Sequence, residues 1–193
     1  MAQFSNVVSS RPVLLGAVAS NLAVMAATYV VRGWNAVGAH AAARNTARLS
    51  AIWFAVAFAA PGLVRFFRSL PAPATLVHSF FAAHAVHFAA VAVLLARFEF
   101  SHVLQHPGRA AAVVLGGFLL VLVAALTATP GPSRTYAYVH RATLYAVFLI
   151  FFLAFAANPA KPLRAVAVLL LLSLVLRLAS DLKFNRARVR SAN

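Results

Sequence analysis

The residues best suited to chemistry in this chain are histidines. Three of them, His78, His84 and His87, stand inside TLVHSFFAAHAVHFAAV (residues 75–91), a run with no other ionisable side chain. A fourth, His140, opens the apolar run YVHRATLYAVFLIFFLAF. Neutral imidazole is the least costly ionisable group to hold away from water and the commonest metal ligand. In such surroundings it either faces a bundle interior to line a path or hold a cofactor, or it joins two helices as a hydrogen-bonding group worth about 0.6 kcal/mol on average. His40, His102 and His106 fall in stretches that read as loops, where a solvated or headgroup-level side chain is expected and replacement should be tolerated.

Helical spacing separates the candidates. At about 100° per residue, His84 and His87 lie about 60° apart on one face, whereas His78 and His87 lie about 180° apart. The three therefore cannot serve one site, and His140 offers a partner from another helix. His78 comes five residues after Pro73, and His140 stands about as far into its own run. Helices running in the same direction would place these two at equal depth. His87 lies about 13.5 Å further along and meets His140 only if the second helix is shifted or tilted. Two parallel helices that each present a histidine at one level can ligate a heme iron from both faces.

The remaining inventory excludes several kinds of chemistry. There is no cysteine, so disulfides, zinc-thiolate sites, iron–sulfur clusters and thiol catalysis are absent. Only Glu99 and Asp181 are acidic, and both stand at the ends of apolar runs. Carboxylate acid/base catalysis, carboxylate proton pumping and a Ser-His-Asp site lack their parts. No glycine-rich phosphate loop or dinucleotide fingerprint occurs, and Gly116-Gly117 reads as a close helix contact. Any electron donor to a heme here comes from another subunit or from quinol.

The elements that position these residues follow from composition. Of 193 residues, 63% are hydrophobic, with a mean hydropathy of +0.88. A soluble domain of this size cannot hide so much apolar surface, so the bilayer is the solvent. The formal charge of +15 does not indicate a nucleic-acid partner, because the basic residues are scattered at the ends of apolar runs, where anionic headgroups select them. At about 20 residues per crossing, six segments qualify: 12–31, 47–66, 73–96, 110–129, 136–157 and 162–179. The fold class expected is all-α, a single transmembrane domain of six helices over residues 1–193 that ends in a basic tail, 181–193. Pro12, Pro73 and Pro162 read as helix starts, TATPGPSR and ANPAKP as breaks between spans, and Pro61-Gly62 as the kink or end of the second. With the N-terminus inside, ten Lys/Arg fall on the cytoplasmic side against seven on the other, which makes the tail KFNRARVR cytoplasmic. Abundant Ala and Arg, with Lys only at Lys161 and Lys183, point to a bacterial chain of the inner (plasma) membrane.

Three stretches, TARLSAIWFAVAFAAP, TLVHSFFAAHAVHFAAV and YVHRATLYAVFLIFFLAF, together resemble the ferric-reductase-like transmembrane superfamily. This is the heme b membrane module of ferric reductases, NADPH oxidases and the membrane subunit of the bacterial methionine sulfoxide reductase system. The likeness covers residues 46–157 and is carried best by the His140-Arg141 pair at the start of the fifth span. It implies heme b held by histidines of the third and fifth spans. That family spaces its histidines 13 or 14 apart on both helices for two stacked hemes, and this chain departs from the pattern. Leu153 follows His140 by thirteen and Ala92 follows His78 by fourteen. The resemblance then implies one heme, with His140 and His78 as iron ligands or His87 in place of His78, and Arg141, Arg134 or Arg48 near the propionates.

The leading reading is thus an integral membrane b-type cytochrome-like electron-transfer subunit, the relay of a membrane oxidoreductase whose partners are the lipid bilayer and a redox protein or quinone. The competing readings are a cofactor-free scaffold or assembly subunit whose histidines join helices, and a small transporter that uses His84 and His87 as a polar path.

Overall fold

The computed structural model describes residues 2–64, 66–67, 69–105, 107–129, 133–157 and 161–192, with side chains described for 10–64, 66–67, 69–101, 105, 116–129, 133–157 and 164–182. Among the described residues every regular element is a helix: α1 (Ala2–Arg32), α2 (Ala36–Leu63), α3 (Pro73–Arg97), the short α4 (Phe100–Gln105), α5 (Pro107–Leu126), α6 (Arg134–Ala156) and α7 (Lys161–Ala192). Five of these carry described segments long and apolar enough to cross a membrane, namely Ser10–Arg32, Ala36–Leu63, Pro73–Arg97, Arg134–Ala156 and Arg164–Leu182. The 20-residue α5 occupies the place of the expected fourth span. The chain is an all-α, multi-pass membrane bundle, and the fifth expected span is α6.

Local sequence explains most boundaries. Gly33 takes φ +82°, which ends α1, and Asn35 accepts a hydrogen bond from the Gly38 amide to start α2. Pro73 stands at the first turn of α3, and Ser133 caps α6 through the Tyr136 amide. Two expectations are corrected. Pro12 lies inside α1 and does not open it; a membrane helix tolerates an interior proline where local adjustment and neighbouring groups re-satisfy the freed carbonyl. The stretch 36–46 is the start of α2 and not a loop, so His40 is helical, and His102 lies on α4. The tail from 181 continues α7 as helix to Ala192.

Packing centres on α2, which touches α1, α3 and α7, while α5, α6 and α7 close the other side. Its buried face is largely alanine, with Gly62 at the end, and small residues let helix backbones approach where lipid supplies no hydrophobic drive. A Cβ on Gly62 would stand 2.7 Å from the Leu176 carbonyl oxygen of α7. The α1–α2 seam is polar: Ser50 Oγ donates to Asn21 Oδ1 (3.5 Å), Trp53 Nε1 to Ser20 Oγ (3.4 Å) and Asn45 Nδ2 to Thr28 Oγ1 (3.2 Å). Phenylalanines fill the centre. Phe54, Phe58 and Phe80 are fully enclosed, and Phe54 meets Phe58, Phe80 and Phe151 at centroid distances of 5.1–5.4 Å.

Candidate functional site

The helices that carry the chemistry, α3 and α6, do not pack backbone against backbone; α2 and α5 hold them apart. Side chains of α3 reach α6 through Phe80 and His84, whose rings lie 6.0 and 5.4 Å from that of Phe151, and His78 lies within electrostatic range of His140.

Two of the histidines are held in the same way. Thr127, just past the end of α5, donates its hydroxyl proton to the Val123 carbonyl at 2.6 Å, and its oxygen lies 3.1 Å from His140 Nδ1. Thr46 on α2 donates to the Ala42 carbonyl at 2.8 Å, and its oxygen lies 3.2 Å from His87 Nδ1. A hydroxyl has one proton, and here it is committed to the threonine's own helix. Toward the imidazole each oxygen therefore accepts, which fixes the proton on Nδ1 and leaves the Nε2 lone pair free. A neighbouring carbonyl, Ala124 for His140 and Ala43 for His87, adds to the same interaction and can only accept. Fixing the tautomer through the far nitrogen is how proteins orient a metal-binding imidazole.

His140 is half-buried and lies within electrostatic range of His78 and Arg177. Arg177 is itself buried, under the face of Phe58 at 5.6 Å, and donates to the Phe58 carbonyl at 3.4 Å. Asp181 gathers this end of the bundle. It accepts from Tyr145 at 3.2 Å and pairs with Arg177 at 3.7 Å and Arg141 at 3.8 Å.

His84 and His87 belong to another level. Their rings, 5.0 Å apart, line a cavity of about 290 Å³ with Phe88, Gly117, Val147 and Phe151. His84 is buried, and among the described residues its Nδ1 has no hydrogen-bond partner. Ala154 lines the same cavity, whereas Leu153 is 56% exposed on the outer surface. On α6 the residue fourteen past His140 thus reaches this cavity and the one thirteen past it does not, and Ala154 brings only a methyl group. Gly117 abuts Phe88, while Gly116 meets nothing within 4 Å, so only one of the two glycines makes the expected close contact.

The other expected residues are dispersed. His40 pairs with Glu99 at 2.6 Å and is largely exposed. The side chain of His102, and all of His106, lie outside the described residues. Of the arginines placed near propionates, Arg48 donates to Asn45 at 3.1 Å, Arg141 pairs with Asp181, and Arg134 is exposed. Sequence reasoning missed Thr46, Thr127 and the buried Arg177. Nothing in their local sequence marks them, because their roles depend on which helix lies opposite.

Among the described residues no three His, Cys, Asp or Glu side chains converge as a metal cage, but a porphyrin iron asks the protein for two axial donors at most. Compared with known proteins, the chain matches no family model, no curated protein and no solved structure.

Proposed function

We propose that this chain is an integral membrane b-type cytochrome-like electron-transfer subunit carrying one heme between α3 and α6, with His140 and His78 as the axial ligands. The observation that carries this reading is the state of His140. Its Nδ1 proton is held by Thr127, its Nε2 is thereby left unprotonated, and His78 of α3 lies within electrostatic range of it. Two neutral imidazoles suit low-spin heme iron. His87 has the same tautomer but stands at the level of Ala154 and Phe151, neither of which can ligate, so His78 is preferred to His87. The likeness to the ferric-reductase-like superfamily supports a heme between these two helices with His140 as a ligand, and fits His78 or His87 as the other. Heme, when bound, supplies one-electron transfer; the chain's residues would bind it, set its orientation and exclude water. The electron donor and acceptor in this reading are a redox protein or membrane quinone, and the membrane is a bacterial plasma membrane.

One observation favours the scaffold alternative: the His87–Thr46 and His140–Thr127 bonds each join two helices, as packing glue would. Absorption spectroscopy separates the two. Protein purified in detergent from heme-replete cells should show a low-spin bis-histidine spectrum that His140→Ala and His78→Ala abolish and His87→Ala retains. Heme-free wild-type protein, or a full low-spin spectrum in His140→Ala, overturns the heme reading in favour of the scaffold.

A further inference from the structure

The cavity beside His84 and His87 is separate from the proposed heme level, and nothing in that proposal uses it. Its walls are supplied by four helices: Ala47 of α2, His84, His87 and Phe88 of α3, Gly117 and Val121 of α5, and Val147 and Phe151 of α6 among others. Among the described residues no lining residue is charged. An anionic ligand such as a fatty acid would find no cation, and a cationic one no carboxylate. The ligand that fits is neutral and mostly apolar, with polar atoms only where the two imidazoles stand. A volume of about 290 Å³ is at the lower end for small-molecule pockets, which run from about 300 Å³. It suits one substituted ring and is too small for a porphyrin. Phe88, Phe151 and Phe155 offer faces and edges to a flat ring.

The imidazoles specify the polar group. His87 presents a bare Nε2, because Thr46 holds its Nδ1 proton. His84 Nδ1 is enclosed by protein with no partner. An enclosed bare nitrogen is less costly than an enclosed N–H without an acceptor, so the His84 proton belongs on Nε2, the nitrogen left to meet a ligand. No hydrogen bond joins the two rings to each other among the described residues. The pair thus offers one acceptor and one donor side by side. A single hydroxyl oxygen satisfies both, donating to His87 and accepting from His84; a carbonyl oxygen can satisfy only His84. Access is from the side, since the lining residues Ile150, 55% exposed, and Ala154 also face outward toward lipid.

We infer that this cavity is a binding site for the hydroxylated ring of a membrane isoprenoid quinol, with the tail passing out between helices at Ile150 and Ala154 into the bilayer. The assignment names the quinone partner of the electron-transfer reading and rests on that reading for its purpose, while the binding itself needs no heme. The reduced form should bind more tightly than the oxidised form, because only the quinol supplies a proton to His87.

The test uses full-length protein in nanodiscs, with decylubiquinol and decylubiquinone as probes in equilibrium binding. Saturable binding is expected, with the quinol favoured on the order of tenfold over the quinone, the effect of one hydrogen bond. His87→Leu should lose that preference. Gly117→Leu, which puts a side chain into the cavity beside Phe88, should abolish binding, and its melting temperature and heme spectrum check that it is folded. Ile150→Trp at the opening provides a second variant should Gly117→Leu fail to fold, and it should weaken binding. The pocket assignment falls if binding is absent in wild-type protein, or unchanged in both Gly117→Leu and Ile150→Trp. Quinol binding that persists in heme-free wild-type protein or in His140→Ala supports the pocket while the heme reading fails; a normal heme spectrum without quinol binding does the reverse.

Discussion

Replacing Thr127 by valine keeps side-chain volume and removes one oxygen. In the structure that oxygen receives the Nδ1 proton of His140 at 3.1 Å while its own proton is spent on Val123 at 2.6 Å. Without it the imidazole loses its fixed tautomer, and its Nε2 need no longer be the bare nitrogen. Loss of a hydrogen bond behind a metal-binding histidine typically lowers metal affinity by about 10- to 100-fold, equivalent to about 1.4 to 2.8 kcal/mol. The lower half of that range is expected here, because the nearby Ala124 carbonyl can still take part of the His140 proton. Titration of hemin into apoprotein, followed at the Soret maximum, reads the change directly. Thr127→Ser should restore most of the affinity, whereas Thr46→Val, the same change one level away, should leave heme affinity unaltered. Equal heme affinity in wild type and Thr127→Val would refute the argument that Thr127 prepares His140, as would an equal loss in Thr46→Val.

Asp181→Asn should destabilise the bundle by up to about 3 kcal/mol, since it strips the counter-charge from buried Arg177; this is at the low end for broken buried pairs because Asp181 is 19% exposed. Unfolding by SDS titration measures it, and a double change with Arg177→Met should recover much of the loss. Gly62→Val should cost about 1–3 kcal/mol by pushing α7 away from α2, whereas Gly116→Ala, which meets open space, should be neutral or slightly stabilising in the same assay. A cysteine in place of Asn193 should react with impermeant thiol reagents only from the cytoplasmic side; labelling from the other side would invert the orientation.

The spans themselves were legible because lipid acts on composition, residue by residue. The third and fifth expected spans, 73–96 and 136–157, agree with α3 (Pro73–Arg97) and α6 (Arg134–Ala156) to within two residues. The second was cut short at its start because hydropathy registers Arg44, Asn45 and Arg48 as a break, whereas the Ala-rich backbone there favours helix and Asn45 and Arg48 find partners. The expected depth match of His78 and His140 used only a rise per residue and a common direction, and it does not foresee the ring contact of Phe80 with Phe151. Which nitrogen of His140 is free needed Thr127, thirteen residues earlier, and no periodicity within one helix reveals a hydroxyl on another. The division of His84 and His87 from His78 was readable from angular spacing, but that they face a cavity and not a packed wall depends on Gly117 and Ala154 being small.

The phenylalanine cluster has an electrical meaning. Phe54, Phe80 and Phe151 pack ring against ring beneath His84, and Phe58 and Phe148 stack at 5.2 Å to carry the seal on toward Arg177. Ions cross a membrane protein along wetted polar surface, and through this layer the described side chains offer none. A layer closed in this manner gives water and ions no continuous path, so the bundle can sit in a membrane without making it leaky.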